Sequence, residues 1–578
     1  MQKERGDIMK LNTKLVSSLI KVFPDSVNGD SISYATALQN EPFSFQVAYK
    51  SEEDDVEVRP LYVRIESDLD DSLITQYKVA NVPVIRADHK CADDNFERKT
   101  PGIYPDVLLK RQTNPEIVKN GPNWSPWVEK DEEQKLRTVR DAFQTLWFTV
   151  NENGEEIKPG KYDIKIKFFT SISNSFVGEE TLRLEIIDAK LPKQSLIYTS
   201  WFHCDSLADT YGVEVFSDRF FEIMRSFVSE ATKTGMNMIL LPAFTPPLDT
   251  GIGNERKTVQ LVSVDVKDGK YSFDFSLMKK YIELCQDCGM ENFEHNHFFT
   301  QWGAKHAPKI MATVDGEYKR IFGWDTDSIS EEYATFLKAY LQEFKKFLKQ
   351  MNLEKNIMFH ISDEPDADCI SYYENAQKVV GEEIKDYMCG DALSHYEYYE
   401  RGCTKKPIVI VDSEEMDKFV NNCEDYWVYY TGNQLKCGSS NRIIQTPSAR
   451  NRVIGLQMYV GAAKGFLHWG YNYYYDIISQ GMFNPMLNPC GYNQLAGASY
   501  VVYPDIRGFA VPSLRMKVFY EGINDYRALQ VLESLIGRNE TLKFIEKTVG
   551  KVDYKYCPTN KELFEFRQKL NQKILEYI

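Results

Sequence analysis

Asn356-Ile357-Met358-Phe359-His360-Ile361-Ser362-Asp363-Glu364-Pro365 is an apolar run of strand type that ends in two adjacent carboxylates and a proline. Proline cannot donate to a sheet ladder and biases the residue before it toward an extended conformation, so the strand stops here. A strand ending in acids is the pattern of an α/β barrel, whose chemistry gathers at the C-terminal ends of its strands. Two carboxylates in one pocket can also share the cleavage of a glycosidic bond, one handling the proton and the other the developing positive charge. The alternative is local, because Asp and Glu also suit the cap and first turn of a following helix. The flanking sequence decides between them.

On either side of this stretch the chain repeats a strand, loop, helix rhythm. Candidate strands are Leu196–Ser200, Met236–Leu241, Met290–His295, Ile357–Ile361, Tyr387–Gly390, Pro407–Val411, Tyr426–Tyr430 and Gly465–Trp469. Helical stretches such as Asp218–Thr234, Ser276–Cys288, Ser330–Gln350 and Ser371–Val380 lie between them. Eight strands interleaved with helices are the signature of a (β/α)8 barrel of the TIM type.

The segment before the barrel reads differently. Phe43–Tyr49, Tyr62–Ile65, Thr145–Val150, Tyr162–Phe168 and Thr181–Ile187 alternate apolar and polar residues, and Asn153-Gly154 and Pro159-Gly160 mark turns. Period-two alternation broken by such turns predicts an antiparallel β-sandwich. Pro101 to Trp127 is polar and proline-bearing, which predicts a long loop, with Trp124 and Trp127 either covering the sandwich core or reaching a neighbouring site. After Tyr503-Pro504 the chain reads as helices at Asn524–Ile536, Glu540–Val549 and Asn560–Ile578, expected to pack on the barrel. The expected organisation is multidomain: sandwich over 1–190, barrel over 191–510 and helical tail over 511–578.

Composition narrows the functional classes. A net charge of −15 argues against non-specific binding to nucleic acid or to an anionic membrane surface, both of which need positive patches. No window approaches the ~18 consecutive apolar residues of a membrane span. The 11 cysteines are odd in number and scattered, which predicts reduced thiols. Cys285 and Cys288 have the spacing of a redox or metal motif, but their flanks look helical and no second pair follows at zinc-ribbon distance. The charged start lacks the apolar core of a secretory signal, so a cytoplasmic location is expected. No phosphate loop, dinucleotide fingerprint or nucleophile elbow is present, and no cofactor is expected.

The predicted strand ends carry a distinctive set of side chains. They include His203 after strand one, Glu294, His295, Asn296, His297 and Trp302 after strand three, and Asp363 and Glu364 after strand four. Asp391, His395 and Tyr396 follow strand five, Tyr429 ends strand seven, and Trp469 and Asn472 end strand eight. Six of the eight histidines fall within a few residues of these ends. Aromatic walls with polar groups between them suit a sugar, whose faces stack on rings. Each residue also has a plain structural reading, as core aromatic or satisfied interior histidine. His295 and His297 face the same way if the strand continues, yet a catalytic zinc wants a third ligand, so no metal site is expected.

With Phe359-His360-Ile361-Ser362-Asp363-Glu364-Pro365 at strand four, Gly465-Phe466-Leu467-His468-Trp469-Gly470-Tyr471-Asn472 at strand eight and Glu521-Gly522-Ile523-Asn524-Asp525-Tyr526-Arg527 in the tail, the chain resembles glycoside hydrolase family 123. The resemblance implies an exo-acting, retaining β-N-acetylgalactosaminidase for carbohydrates with a terminal β-linked N-acetylgalactosamine. In that scheme the substrate's own acetamido oxygen attacks the anomeric carbon. Asp363 orients and stabilises the acetamido group; Glu364 protonates the leaving oxygen and then activates water. Trp302, Tyr429 and Trp469 are the expected walls of the sugar site, Asn296, His297 and Asn472 its polar contacts, with His203, His395 and Tyr396 as further contacts. Two alternatives stay open: a preference for N-acetylglucosamine, and a carbohydrate-binding protein with an inactive barrel.

Overall fold

The computed structural model describes residues 11–51, 60–85, 95–111, 136–139, 141–171, 173–434, 438–479, 481–491 and 494–578. Trp124 and Trp127 lie outside the described residues. The chain divides into two compact units, one of Met1–Lys193, Ile444–Gln457 and Val511–Ile578, the other of Gln194–Ile443 and Met458–Ala510. No helix among the described residues is long and apolar enough to cross a membrane.

The first unit contains two five-stranded sheets. One runs in the order Leu11–Ser17, Phe43–Ser51, Gln144–Val150, Ile74–Val84, Gly102–Lys110; the other runs Tyr34–Leu38, Phe176–Ile187, Gly160–Thr170, Pro60–Glu66, Leu136–Arg137. Alternate residues of the two sheets form one core, including Phe45, Val47, Leu146 and Phe148 from the first and Ile164, Ile166, Phe168, Leu182 and Leu184 from the second. Between the inward isoleucines, Lys165 and Lys167 fall on the opposite face, as the pleat requires. The pairing is antiparallel except where Tyr34–Leu38 runs parallel to Phe176–Ile187. The loop expected from Pro101 begins instead as the edge strand Gly102–Lys110, paired with Ile74–Val84 across a register shift at Ala80/Asn81.

The helical tail, given by the sequence as a segment of its own, is part of this same unit. Its first helix, Leu514–Ile536, starts ten residues earlier than its pattern predicts, capped by the Ser513 hydroxyl. The early turns were illegible because their charges are buried. Arg515 grips both oxygens of Asp106, and Lys517 reaches Glu152 at 2.9 Å. Glu521 and Asp525 accept from Arg452, and Arg567 links Asp525 to Glu41. Gly522 lies against the segment around Arg452; a Cβ there would stand 2.4 Å from the Arg452 carbonyl oxygen. The tail motif Glu521-Gly522-Ile523-Asn524-Asp525 therefore serves a buried ionic junction of three helices, Leu514–Ile536, Ser448–Arg452 and Asn560–Leu575, with Glu41.

The second unit is a closed eight-stranded parallel barrel: Ile197–Ser200, Met238–Leu241, Asn292–His295, Ile357–Phe359, Met388–Ala392, Lys406–Ile410, Trp427–Tyr429 and Gly465–His468. All eight predicted strands are present, most of them shorter than expected. Met238, Leu240, Met358, Ile408, Trp427 and Leu467 fill the interior. Gly465 is needed there, because a Cβ would lie 2.4 Å from the Trp427 ring. The helices Asp218–Lys233, Ser276–Asp287, Glu331–Met351 and Ile370–Ile384 follow strands one, two, three and four. Cys285 is buried in the second of these and Cys288 caps it without a disulfide. A four-stranded sheet of Ser263–Lys267, Lys270–Asp274, Ile310–Val314 and Glu317–Phe322 is inserted in the loops after strands two and three, and was not anticipated.

Candidate active site

The fourth strand ends at Phe359, and the chain beyond it is laced to its neighbours. Phe298 and Phe299 donate from the third-strand loop to the carbonyls of His360 and Ile361 at 3.1 Å. The Ser362 hydroxyl donates to the Thr300 carbonyl at 2.8 Å. The Trp302 N–H donates to the Asp363 carbonyl at 2.8 Å, and on the other side Glu364 N–H donates to Ala392 at 3.0 Å. Glu364 has φ +42°, in the left-handed region. That turn breaks the alternation by which neighbouring strand residues point to opposite faces. Trp302, Gly303 and Ala304 also have positive φ, and Trp302 remains 42% exposed. An aromatic ring is thus tied by its backbone to Asp363 and left open on one side.

Electrostatics mark the pair. Burial raises Asp363 well above the usual carboxylate range, and the charges of Glu364 and Asp249 raise it further. Burial also raises Glu364, opposed by a hydrogen bond from the Tyr429 hydroxyl to Oε1 at 2.7 Å. Such a pocket favours holding a proton on at least one of the two acids near neutral pH. Tyr429 itself packs in the barrel core, with Trp469 against the same cluster.

Directly beneath lies a fully buried ionic cluster. His360 contacts Glu294 through Nε2 at 2.7 Å and Asp391 through Nδ1 at 3.2 Å. Burial opposes its charge, but the two carboxylates outweigh it and hold the imidazole up to about 10. Glu294 also accepts from Thr199 and Trp201, both at 2.7 Å, while Asp391 accepts from Ile361 N–H and Tyr373 hydroxyl. The cluster ties strands one, three, four and five together under the loop that carries Asp363 and Glu364. His297, His360 and Asp391 offer atoms within 4.8 Å of one another that suit a cation. As arranged, both nitrogens of His360 are already engaged with carboxylates.

The structure brings Asp363, Glu364, Trp302, Tyr429 and Trp469 into the neighbourhood the sequence predicted, and reassigns others. Asn472 is fully buried, its amide spent on the His203 main chain: Oδ1 accepts from the N–H at 2.8 Å and Nδ2 donates to the carbonyl at 3.1 Å. Asn296 similarly accepts from Phe244 N–H and donates to the His297 carbonyl. Both amides brace neighbouring main chain. His203 is buried between Trp469 O and Arg256, each 2.8 Å away, and burial with the Arg256 charge lowers it to about 3. His297 stacks on His360 with ring centres 4.4 Å apart. Among the described residues neither of its nitrogens has a hydrogen-bond partner, and burial keeps it neutral. Tyr396 opens the short helix Glu397–Glu400, its ring against Phe419, and His395 is half-buried beside it. Among the described residues neither hydrogen-bonds the carboxylate pair.

Two residues escaped sequence reading. Arg256 donates to Asp205, His203 and the Leu248 carbonyl. Asp249, next to Leu248, is pushed up to about 6 by burial, with Arg256 pulling it down and Glu364 adding to the rise. Both lie in an irregular loop with no periodicity to mark them.

The family model described as Glycoside hydrolase 123, catalytic domain, matches residues 201–532. No curated protein matches the chain. Among solved structures, a family 123 glycoside hydrolase from Clostridium perfringens, described in connection with glycolipid glycan hydrolysis, aligns with a TM-score of 0.68 at 13% identity, covering 98% of this chain and 97% of that one. A β-glucuronidase of Bacteroides uniformis aligns with a TM-score of 0.28 at 10% identity, over 92% of this chain and 50% of that one. A family 5 mannosidase of Rhizomucor miehei gives 0.29 at 12% identity, over 63% of this chain and 97% of that one.

Proposed function

Since the chain belongs to glycoside hydrolase family 123, we propose that it is a retaining exo-glycosidase releasing terminal β-linked N-acetylgalactosamine from glycans of the glycosphingolipid type. The observation that carries this reading is the Asp363–Glu364 pair at the left-handed turn after strand four, raised by burial and flanked by Tyr429 and Trp302. The acetamido oxygen of the substrate attacks C1 as the glycosidic C1–O bond breaks. Glu364 gives its proton to the leaving oxygen. Asp363 holds the acetamido nitrogen and balances the positive charge of the oxazolinium-like intermediate. Water then adds to C1 while Glu364 takes its proton, which restores the acetamide and retains the configuration. The enzyme needs no nucleophile of its own, so the carboxylate separation rule for ordinary retaining enzymes does not govern the outcome. The glycolipid context of the Clostridium perfringens relative supports a glycan of that type as substrate.

The test is hydrolysis of aryl β-N-acetylgalactosaminide, the matching glucosaminide and the plain galactoside by wild type and Glu364→Gln. Turnover confined to the galactosaminide, and reduced about 10²–10⁴-fold in the variant for a poor leaving group, is expected. Equal rates on the plain galactoside would overturn the acetamido mechanism, and faster turnover of the glucosaminide would overturn the sugar assignment.

A further inference from the structure

Asp249 sits at the barrel mouth with its backbone pinned from two sides. Its N–H donates to Gln301 Oε1 at 2.7 Å, next to Trp302, and its carbonyl accepts from Ser479 Oγ at 2.9 Å. Ser479 is held in turn by the Tyr473 hydroxyl at 3.0 Å. The preceding Leu248 is buried in the cluster that contains Tyr429, and its carbonyl is held by Arg256 at 2.8 Å. Asp249 has φ +49°, a conformation Asp tolerates better than most residues. The backbone that carries the carboxylate is thus held in place. Yet among the described residues the structure shows no hydrogen-bond donor to that carboxylate, although it is half-buried and lies within electrostatic reach of Asp363 and Glu364. Arg256, the cation whose charge acts on it, donates to Asp205, His203 and the Leu248 carbonyl.

A carboxylate accepts through both oxygens, so one that spends neither on the described residues can accept from hydroxyl groups of a ligand. We propose that Asp249 is a specificity-determining residue that accepts hydroxyl groups of the terminal sugar, O4 among them. This rests on the function proposed above. With Asp363 on the C2 acetamido group and Glu364 on the oxygen at C1, the hydroxyls left on the ring are at C3, C4 and C6. A carboxylate that takes two neighbours binds either O3 with O4 or O4 with O6, and O4 is common to both. The orientation of O4 is the difference between galacto and gluco sugars, so Asp249 reads that centre.

The test is a four-way cycle of wild type and Asp249→Ala, each on an aryl β-N-acetylgalactosaminide and its 4-deoxy analogue with the same leaving group. Wild type should lose about 10- to 100-fold in kcat/KM when the hydroxyl is removed, the range of a hydrogen bond to a charged group. Asp249→Ala should lose a similar factor on the parent sugar and be nearly indifferent to the deoxy change. Its loss should be the same for good and poor leaving groups, unlike that of Glu364→Gln. Asp249→Asn, which keeps size and fold, should show the same loss of discrimination in smaller measure. Equal deoxy penalties in wild type and both variants would overturn the assignment. Wild type that ignores the galactosaminide but cleaves another aryl glycoside would overturn the function itself, a different result.

Discussion

The Tyr429 hydroxyl, on the seventh barrel strand, donates to Oε1 of Glu364, beyond the fourth, at 2.7 Å. A donor to a carboxylate stabilises the anion, so Tyr429 restrains the rise that burial imposes on Glu364. In the function proposed above Glu364 works protonated, so activity is expected below its folded pKa and lost as pH rises through it. Tyr429→Phe should therefore move the basic limb of kcat/KM upward by about one pH unit. A pH profile of wild type and variant decides it. An unmoved limb would mean that Glu364 is not the titrating acid.

His360 holds together two carboxylates that are themselves buried. His360→Ala leaves Glu294 and Asp391 as uncompensated buried charges, which costs about 3–5 kcal/mol. Denaturant unfolding of wild type and variant measures it. A loss below about 1 kcal/mol would show that the cluster carries no such ion pair.

His203 makes stability depend on pH. Burial, reinforced by Arg256, lowers it to about 3, whereas the unfolded value is about 6.5. Between those values the unfolded chain binds the proton and the folded chain does not, so stability is lost as pH falls through this window. His203→Asn should remove up to about 1.4 kcal/mol per pH unit of that slope. The check is the unfolding midpoint followed from about pH 4 to pH 7. Parallel slopes in wild type and variant would refute the burial of a neutral imidazole there.

Gly522 permits a close helix approach, because a side chain would meet the Arg452 carbonyl, an atom that cannot swing aside. Gly522→Ala should cost about 1–3 kcal/mol through backbone displacement. Melting temperature checks the loss. The specific activity of the folded fraction should be unchanged, as Gly522 lies in the unit with the sandwich.

The barrel was legible because each strand is a short apolar run closed by turn chemistry, and a parallel strand buried on both faces has little other composition open to it. The Asp363–Glu364 pair was legible for the same reason: acids and a proline cannot continue such a strand. The early turns of the Leu514–Ile536 helix were not, since a helix buried nearly all round shows no amphipathic stripe and its Arg515 and Lys517 look solvent-facing. Asn296 and Asn472 show a different ambiguity. A polar residue at a strand end can face a ligand or satisfy a neighbouring backbone, and only the three-dimensional partner tells which.

The sequence by itself determined the order of architectures, the eight barrel strands and the place of Asp363 and Glu364, because these follow from periodicity and from what can end a strand. Tertiary structure decided everything that depends on partners distant in sequence: the tail sharing a unit with the sandwich, the His360 cluster drawn from four strands, and the carboxylate of Asp249 within electrostatic reach of the pair. Hydrogen bonds and charges act over a few ångströms of space, and residues that close can stand hundreds of positions apart, as Ser479 and Asp249 do.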